Sequence, residues 1–170
     1  MTRDQSRPLP QTGKSGIDEI DRKILGELQK EGGLSNLDLA ERVGLSPSPC
    51  SRRVKALEDS GVIERRVTLL DRKKLGLSLT AFIQISMDRH TPERFEHFEQ
   101  RVRSYPEVQG CWMITGHDAD YLLKVVVPDM DVYQVFLLEK ITRIDGVSGV
   151  RSSFVMRRVC DSTELPLGYV

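Results

Sequence analysis

Apolar residues recur along this chain at two different spacings, and the change of spacing divides it. In the first part they fall three and four apart: Ile17, Ile20, Ile24, Leu25 and Leu28, then Leu37, Ala40 and Val43, then Pro47, Cys50, Val54 and Leu57. That spacing gathers them on one side of a helix. Gly32-Gly33 and Gly44 separate the three runs, and the later two carry start signals. Ser35 is a candidate N-cap, with Asp38 where a capping box would have Glu; Ser46 is another, followed by Pro47 at the first helical position and Pro49 where no intrahelical N–H is required. Three helices are expected, the last closed by Gly61, after which "VIERRVTLL" (62–70) reads as a strand and "DRKKLGLS" (71–78) as a connector.

Beyond residue 78 the period shifts to two, returns to 3.6, and shifts again. "LTAFIQISM" (79–87) alternates as a strand; "TPERFEHFEQRVRS" starts on a Thr91 cap with Pro92 and places Phe95, Phe98 and Val102 on one helix face. Strands at 108–115 and 121–127 flank the polar loop "GHDAD". A second helix with Tyr133, Phe136, Leu137, the Lys140 stem, Ile141 and Ile144 inward precedes a long strand at 147–160. The order strand, helix, strand, strand, helix, strand is the ferredoxin-like split pair. Two helices cover one face of such a sheet, and its other face needs a partner. The fold class expected is α+β: a disordered tail over 1–16, a winged helix-turn-helix over 17–70, a linker over 71–78, a ferredoxin-like effector-binding and oligomerisation domain over 79–160, and a C-terminal tail over 161–170.

A helix, a tight glycine turn and a second helix with a basic outer face is the helix-turn-helix arrangement. On the third helix Ser48, Ser51, Arg52 and Lys55 point away from the apolar stripe. Small hydroxyls near the start, followed by cations, suit a helix whose N-terminal end enters a DNA major groove. Arg65 and Arg66 on the wing lie within reach of adjacent phosphates.

Composition narrows how such binding works. The 170 residues are 39% hydrophobic, enough for packed cores, and carry 25 Lys plus Arg against 25 Asp plus Glu. A neutral chain does not coat nucleic acid by bulk charge, so binding depends on a local patch, repeated by oligomerisation. No apolar run approaches a membrane span and the start is polar, so a cytoplasmic protein is expected. Cys50, Cys111 and Cys160 lack metal or disulfide spacing and read as small buried hydrophobes or idle thiols. His117, Asp118 and Asp120 invite an enzymatic reading, but neither a second ligand cluster nor a nucleophile motif nor a phosphate loop accompanies them; His90 and His97 read as surface residues. Neither metal, cofactor nor catalysis is expected.

The stretch "IDEIDRKILGELQKEGGLSNLDLAERVGLSPSPCSRRVKALEDSGVI" resembles the DNA-binding signature of the leucine-responsive regulatory protein and AsnC (Lrp/AsnC, feast/famine) family of transcription regulators, and "TGHDADYLLKVVVPDM" resembles its effector-loop region. The resemblance runs from Ile17 to Cys160. It implies open sheet faces paired into homodimers, dimers assembled further, often into an octamer, and an amino acid bound between dimers that shifts assembly or DNA affinity. Carried onto this chain, it gives DNA contacts to Ser46, Ser48, Ser51, Arg52, Arg53 and Lys55, with Arg53, on the helix flank, assigned to phosphate or intradomain pairing. It gives effector contacts to Thr115, Gly116, Asp118, Asp120, Tyr121, Leu122, Met130, Ser152 and Ser153. Asp120 would accept from an effector ammonium; loop N–H groups and the serines would donate to its carboxylate. Leu122 and Met130 favour leucine, methionine or another small amino acid. The family pattern is commonly Gly-x-x-Asp-Tyr, whereas Gly116 to Tyr121 is one residue longer. An alternative of the same fold is therefore an architectural protein that bends DNA without an effector.

Overall fold

Asp18 opens the first helix, α1 (Glu19–Lys30): its carboxylate accepts from the Asp21 N–H at 2.8 Å while the Asp21 carboxylate accepts from the Asp18 N–H at 3.2 Å, a reciprocal capping box. Helix α2 (Asn36–Val43) begins on the Ser35 hydroxyl and ends at Gly44, whose φ of +71° is a left-handed conformation that favours glycine. Helix α3 (Pro47–Asp59) follows at once. Ile24, Leu25, Leu39, Ala40, Val43, Cys50 and Leu57 bury themselves between the three, each large aliphatic contributing about 1.5–3 kcal/mol. Two expected inward residues are corrected. Leu37 is 67% exposed and Leu39 2%, because Leu39, Ala40 and Val43 define a face whose middle lies more than a right angle from Leu37 at about 100° per residue. Pro47 is exposed as well.

The structure, a computed structural model, describes residues 16–116 and 118–170. Most of the tail expected over 1–16, and His117 of the loop, lie outside the described residues. The chain forms two units, one reaching to Leu69 and including Cys160–Val170, the other Leu70–Val159.

The strand expected at 62–70 is not formed. Ile63 is tied to the end of α3 by its N–H on the Leu57 carbonyl, 3.0 Å, and residues 64–70 run exposed. The first unit offers no second strand among its described residues to complete a ladder. The segment 161–170, expected to be a tail, packs on α1. The Gln29 amide pairs with both backbone groups of Leu165 (2.6 and 3.2 Å), Arg22 donates to the Val170 carbonyl, and Leu167, opening a short turn Leu167–Tyr169, rests against the helical core.

In the second unit β1 (Leu79–Met87), α4 (Pro92–Arg103), β2 (Val108–Met113), β3 (Tyr121–Val127), α5 (Met130–Phe136) and β4 (Val147–Phe154) form an antiparallel sheet in the order β2-β3-β1-β4 with both helices on one face. Helix α5 continues through a π-turn, Leu137–Ile141. Ala81, Ile83 and Ile85 of β1 and Tyr121, Leu123 and Val125 of β3 alternate inward onto Phe98, Val102, Phe136 and Ile141. Strand β4 stops at Phe154 rather than running to Cys160. One more rung, Val155 N–H to the Thr80 carbonyl at 2.9 Å, brings it to the start of β1, where the partner runs out. Cys50 is buried, Cys111 half-buried and Cys160 exposed, so of the two readings offered for the cysteines Cys50 takes that of a small buried hydrophobe and Cys160 does not. No helix among the described residues is long and apolar enough to cross a membrane.

Candidate nucleic-acid interface and effector loop

Helix α3 owes its position to contacts sequence reading mostly missed. Arg53 places Nη1 at 2.7 Å from Asp18 and 2.8 Å from Asp21, fastening α3 to the start of α1. The Asp21 N–H, and after it the Arg53 guanidinium, hold the Asp18 carboxyl below its ordinary range. Asn36 donates to the Pro47 carbonyl at 2.9 Å and so fixes the α2–α3 turn. Of the options open to Arg53, the geometry takes the intradomain pair.

Around this braced flank the other candidates on α3 and its cap stay free. Ser46 has extended N-cap dihedrals but no side-chain cap hydrogen bond, and Ser46, Ser48, Ser51, Arg52 and Lys55 are all exposed. Among the described residues Arg52 and Lys55 make no ion pair, in contrast to Arg42, held by Glu27 and Glu31, and Arg66, held by Glu58 at 2.9 Å. Arg65 lies 4.0 Å from its neighbour Glu64. The outer face of α3 is thus a patch of hydroxyls and unneutralised cations, an arrangement able to donate to base edges and phosphates.

The effector-loop candidates fall into two groups. Beside the 114–120 loop, Ser86 donates to the Asp118 carbonyl at 2.6 Å, and Asp120 accepts from the Met87 N–H at 2.7 Å and meets His90 Nε2 at 2.8 Å. Asp118 lies 3.6 Å from Arg151, while Thr115 and Gly116 are exposed. Tyr121 points to the helix face, its hydroxyl on Glu99 at 3.0 Å; burial and the Glu99 carboxylate push its pKa up strongly. Leu122 faces the other way, between Trp112 and Gln84. Met130 is exposed past the far end of β3, roughly 20 Å along the strand. Ser152 is hydrogen-bonded to the Tyr133 hydroxyl, and Ser153 is exposed opposite Phe82. One subunit therefore does not gather these residues into a single cavity. A hollow of about 130 Å³ lies on the helix side, bounded by Glu99, Arg103, Cys111, Met113 and Tyr121, of which only Tyr121 was anticipated.

The Asp18-x-x-Asp21 box is visible in "IDEID". Asn36, Ser86, His90 and Glu99 gave no local sign, since each acts across a long stretch of chain.

A three-helix unit with an exposed cationic helix, joined in one chain to a split βαββαβ sheet, defines a DNA-binding regulator with a ligand-binding domain. Comparison with known proteins agrees on both units: residues 17–64 match the winged helix-turn-helix DNA-binding family model, and residues 80–165 match the Lrp/AsnC ligand binding domain. The chain is 45% identical over 149 residues to the leucine-responsive regulatory protein of Escherichia coli K12, covering 88% of this chain and 90% of that one. Among solved structures it is similar to a transcriptional regulator of Neisseria meningitidis in complex with L-Met (42% identity, TM-score 0.86, 89% and 97% of the two chains). It is likewise similar to an AsnC family transcriptional regulator of Agrobacterium tumefaciens (43%, TM-score 0.85, 90% and 99%). The chain belongs to the Lrp/AsnC family of transcriptional regulators. It is a regulator and not an enzyme, which sets aside the catalytic reading of His117, Asp118 and Asp120.

Proposed function

We propose that this regulator reads specific DNA sites through the outer face of α3 and that an amino acid bound between subunits tunes its assembly or affinity. The observation that carries the first half is the contrast on one helix: Arg53 is neutralised by Asp18 and Asp21, while Arg52 and Lys55, beside Ser48 and Ser51, are not. Ser46 and Arg65 flank that set, and Arg66, shared with Glu58, reaches phosphate only by leaving it. Dimers formed through the open sheet faces carry two such helices, and an octamer assembled from such dimers multiplies the contacts.

The second half rests on the ligand-binding domain and on the Neisseria relative with L-Met. The spread of the effector candidates from the loop, through Ser152 and Ser153 at mid-strand, to Met130 past the far end of β3 fits a site completed by a neighbouring subunit, with leucine, methionine or another small amino acid as ligand. A specific observation favours the effector-independent architectural reading: Asp120, in the longer loop, already serves the Met87 N–H and His90.

The test is fluorescence anisotropy on a labelled fragment from upstream of the protein's own gene, at fixed salt with competitor DNA, repeated with each amino acid. A specific isotherm that moves with one amino acid supports the proposal; indifference to every amino acid supports the architectural reading. Absence of specific binding overturns both.

A further inference from the structure

The second unit carries cations that neither the recognition helix nor the effector site uses. Residues 71–78 enter the sheet at the start of β1, and the residues after β4 leave it at the same edge, because the last β1–β4 rung joins Val155 to Thr80. The entering segment supplies Arg72, Lys73 and Lys74, the leaving one Arg157 and Arg158.

The entering segment is an ordered turn. The Leu75 N–H bonds the Asp71 carbonyl at 3.2 Å, the Leu77 N–H the Arg72 carbonyl at 2.8 Å, and Gly76 takes φ +76°. Its single acid does not face the lysines' charges: Asp71 Oδ1 accepts the backbone N–H groups of Lys73 and Lys74 at 2.9 and 3.3 Å. Asp129, just past Pro128, whose carbonyl accepts the Ser78 N–H, is likewise turned to the Val132 N–H at the start of α5. That leaves Asp131 as an exposed acid in the neighbouring first turn. Lys73, Lys74 and Arg157 are exposed and, among the described residues, form no ion pair. Among the described residues Arg89, Arg101 and Lys124 of this unit have no carboxylate partner either, but Lys73, Lys74 and Arg157 belong to two segments that meet at one end of the β1–β4 pair.

We propose that Lys73, Lys74 and Arg157 form a second, sequence-independent contact strip that grips the phosphate backbone of DNA. The inference rests on the DNA-binding reading and extends it to the ligand-binding unit. Chain length makes one duplex accessible to both parts: Lys73 follows Arg66 closely enough that the chain holds it within about 25 Å, less than one turn of B-DNA at about 34 Å. Compact ammonium groups suit this role, since phosphate contact needs charge rather than the planar fork that reads guanine.

The test uses the full chain carrying K73Q, K74Q and R157Q together, and a labelled random-sequence duplex titrated at several salt concentrations. The strip predicts that the negative slope of log affinity against log salt becomes shallower by about 2.7 per protomer, about 0.9 for each cation, while discrimination between the upstream fragment and competitor is kept. An unchanged slope, in a variant with wild-type circular dichroism and oligomer mass, overturns it. A separate K73E/K74E chain must weaken random-duplex binding further, and equal affinity there overturns the strip as well. Failure of the broader reading looks different: R52A and the wild type would then bind the upstream fragment no better than competitor, whatever the salt slope of the strip variant.

Discussion

The outer face of α3 and the loop after β2 are the two surfaces on which the proposed function rests, and they differ in what one chain completes. On α3 everything needed to present the cations is local to the first unit: the Asp18 box, the Arg53 clamp and the Asn36 bond. Around the loop, the carboxylate best placed for a ligand is already occupied by Met87 and His90, while Ser152 and Ser153 sit mid-strand and Met130 lies past the far end of β3. In the function proposed, the surface that meets a rigid polymer is built in advance, whereas the site for a small ligand is left to be finished by a second subunit.

The strongest test of the prebuilt face is Arg52→Ala. Specific affinity should fall by about 1–3 kcal/mol, about 5- to 150-fold, with oligomer mass unchanged. Anisotropy at fixed salt and size-exclusion light scattering read the two quantities; undiminished affinity removes Arg52 from the interface. Next in size is loss of the C-terminal strap. A chain ending at Thr163 loses the Leu165 pairing with Gln29 and the packing of Leu167, and should destabilise the first unit by about 1–3 kcal/mol in urea. An unshifted midpoint would make the strap a passenger.

How far these features were legible follows from their range in sequence. The helices and strands show as periodicity because a half-buried face repeats every 3.6 or two residues. The 62–70 segment misled because strand-like composition, as in Val67, Thr68 and Leu69, says nothing of whether a partner strand exists. The same limit hid the end of β4. Arg52 and Lys55 were readable from their angle on α3, but the strap was not, because Leu165 and Gln29 are joined by a contact with no local pattern. The effector group suffers most. Its members were collected by resemblance, and a resemblance assigns residues to a site without saying which chain supplies them.

At the loop, Asp120→Asn sharpens the comparison. The amide keeps one oxygen for the Met87 N–H and loses the charge for His90 or for an effector ammonium. DNA affinity should stay within about twofold, since Asp120 belongs to the second unit and α3's cations to the first, while any amino-acid-induced shift disappears. A retained shift would mean the ammonium is met elsewhere.

Arg53→Ala tests the brace through pH. Because Asp18 titrates below its ordinary 3.8 when folded, the clamp stabilises the first unit fully above that value and loses its effect as pH falls through the lowered folded one. The wild type should therefore lose stability on acidification through this window more steeply than the variant, measured by urea midpoints. Parallel pH curves would show that the pair is screened.

The smallest effect is expected at Gly110→Ala. A Cβ there would sit 2.3 Å from Cη2 of Trp112, which lies across the glycine on the sheet face opposite α4 and α5 and is 48% exposed. The obstruction is the far end of a side chain that swings, so stability should change by less than about 1 kcal/mol. Trp112 is the only tryptophan, so its emission reports the displacement directly. If the open sheet face is where two chains meet, the displaced indole should also raise the dimer dissociation constant, read by sedimentation at falling concentration. A shifted emission with unchanged dimerisation would move the subunit contact off this face, and with it the expectation that the loop's missing half comes from an assembly built on that dimer.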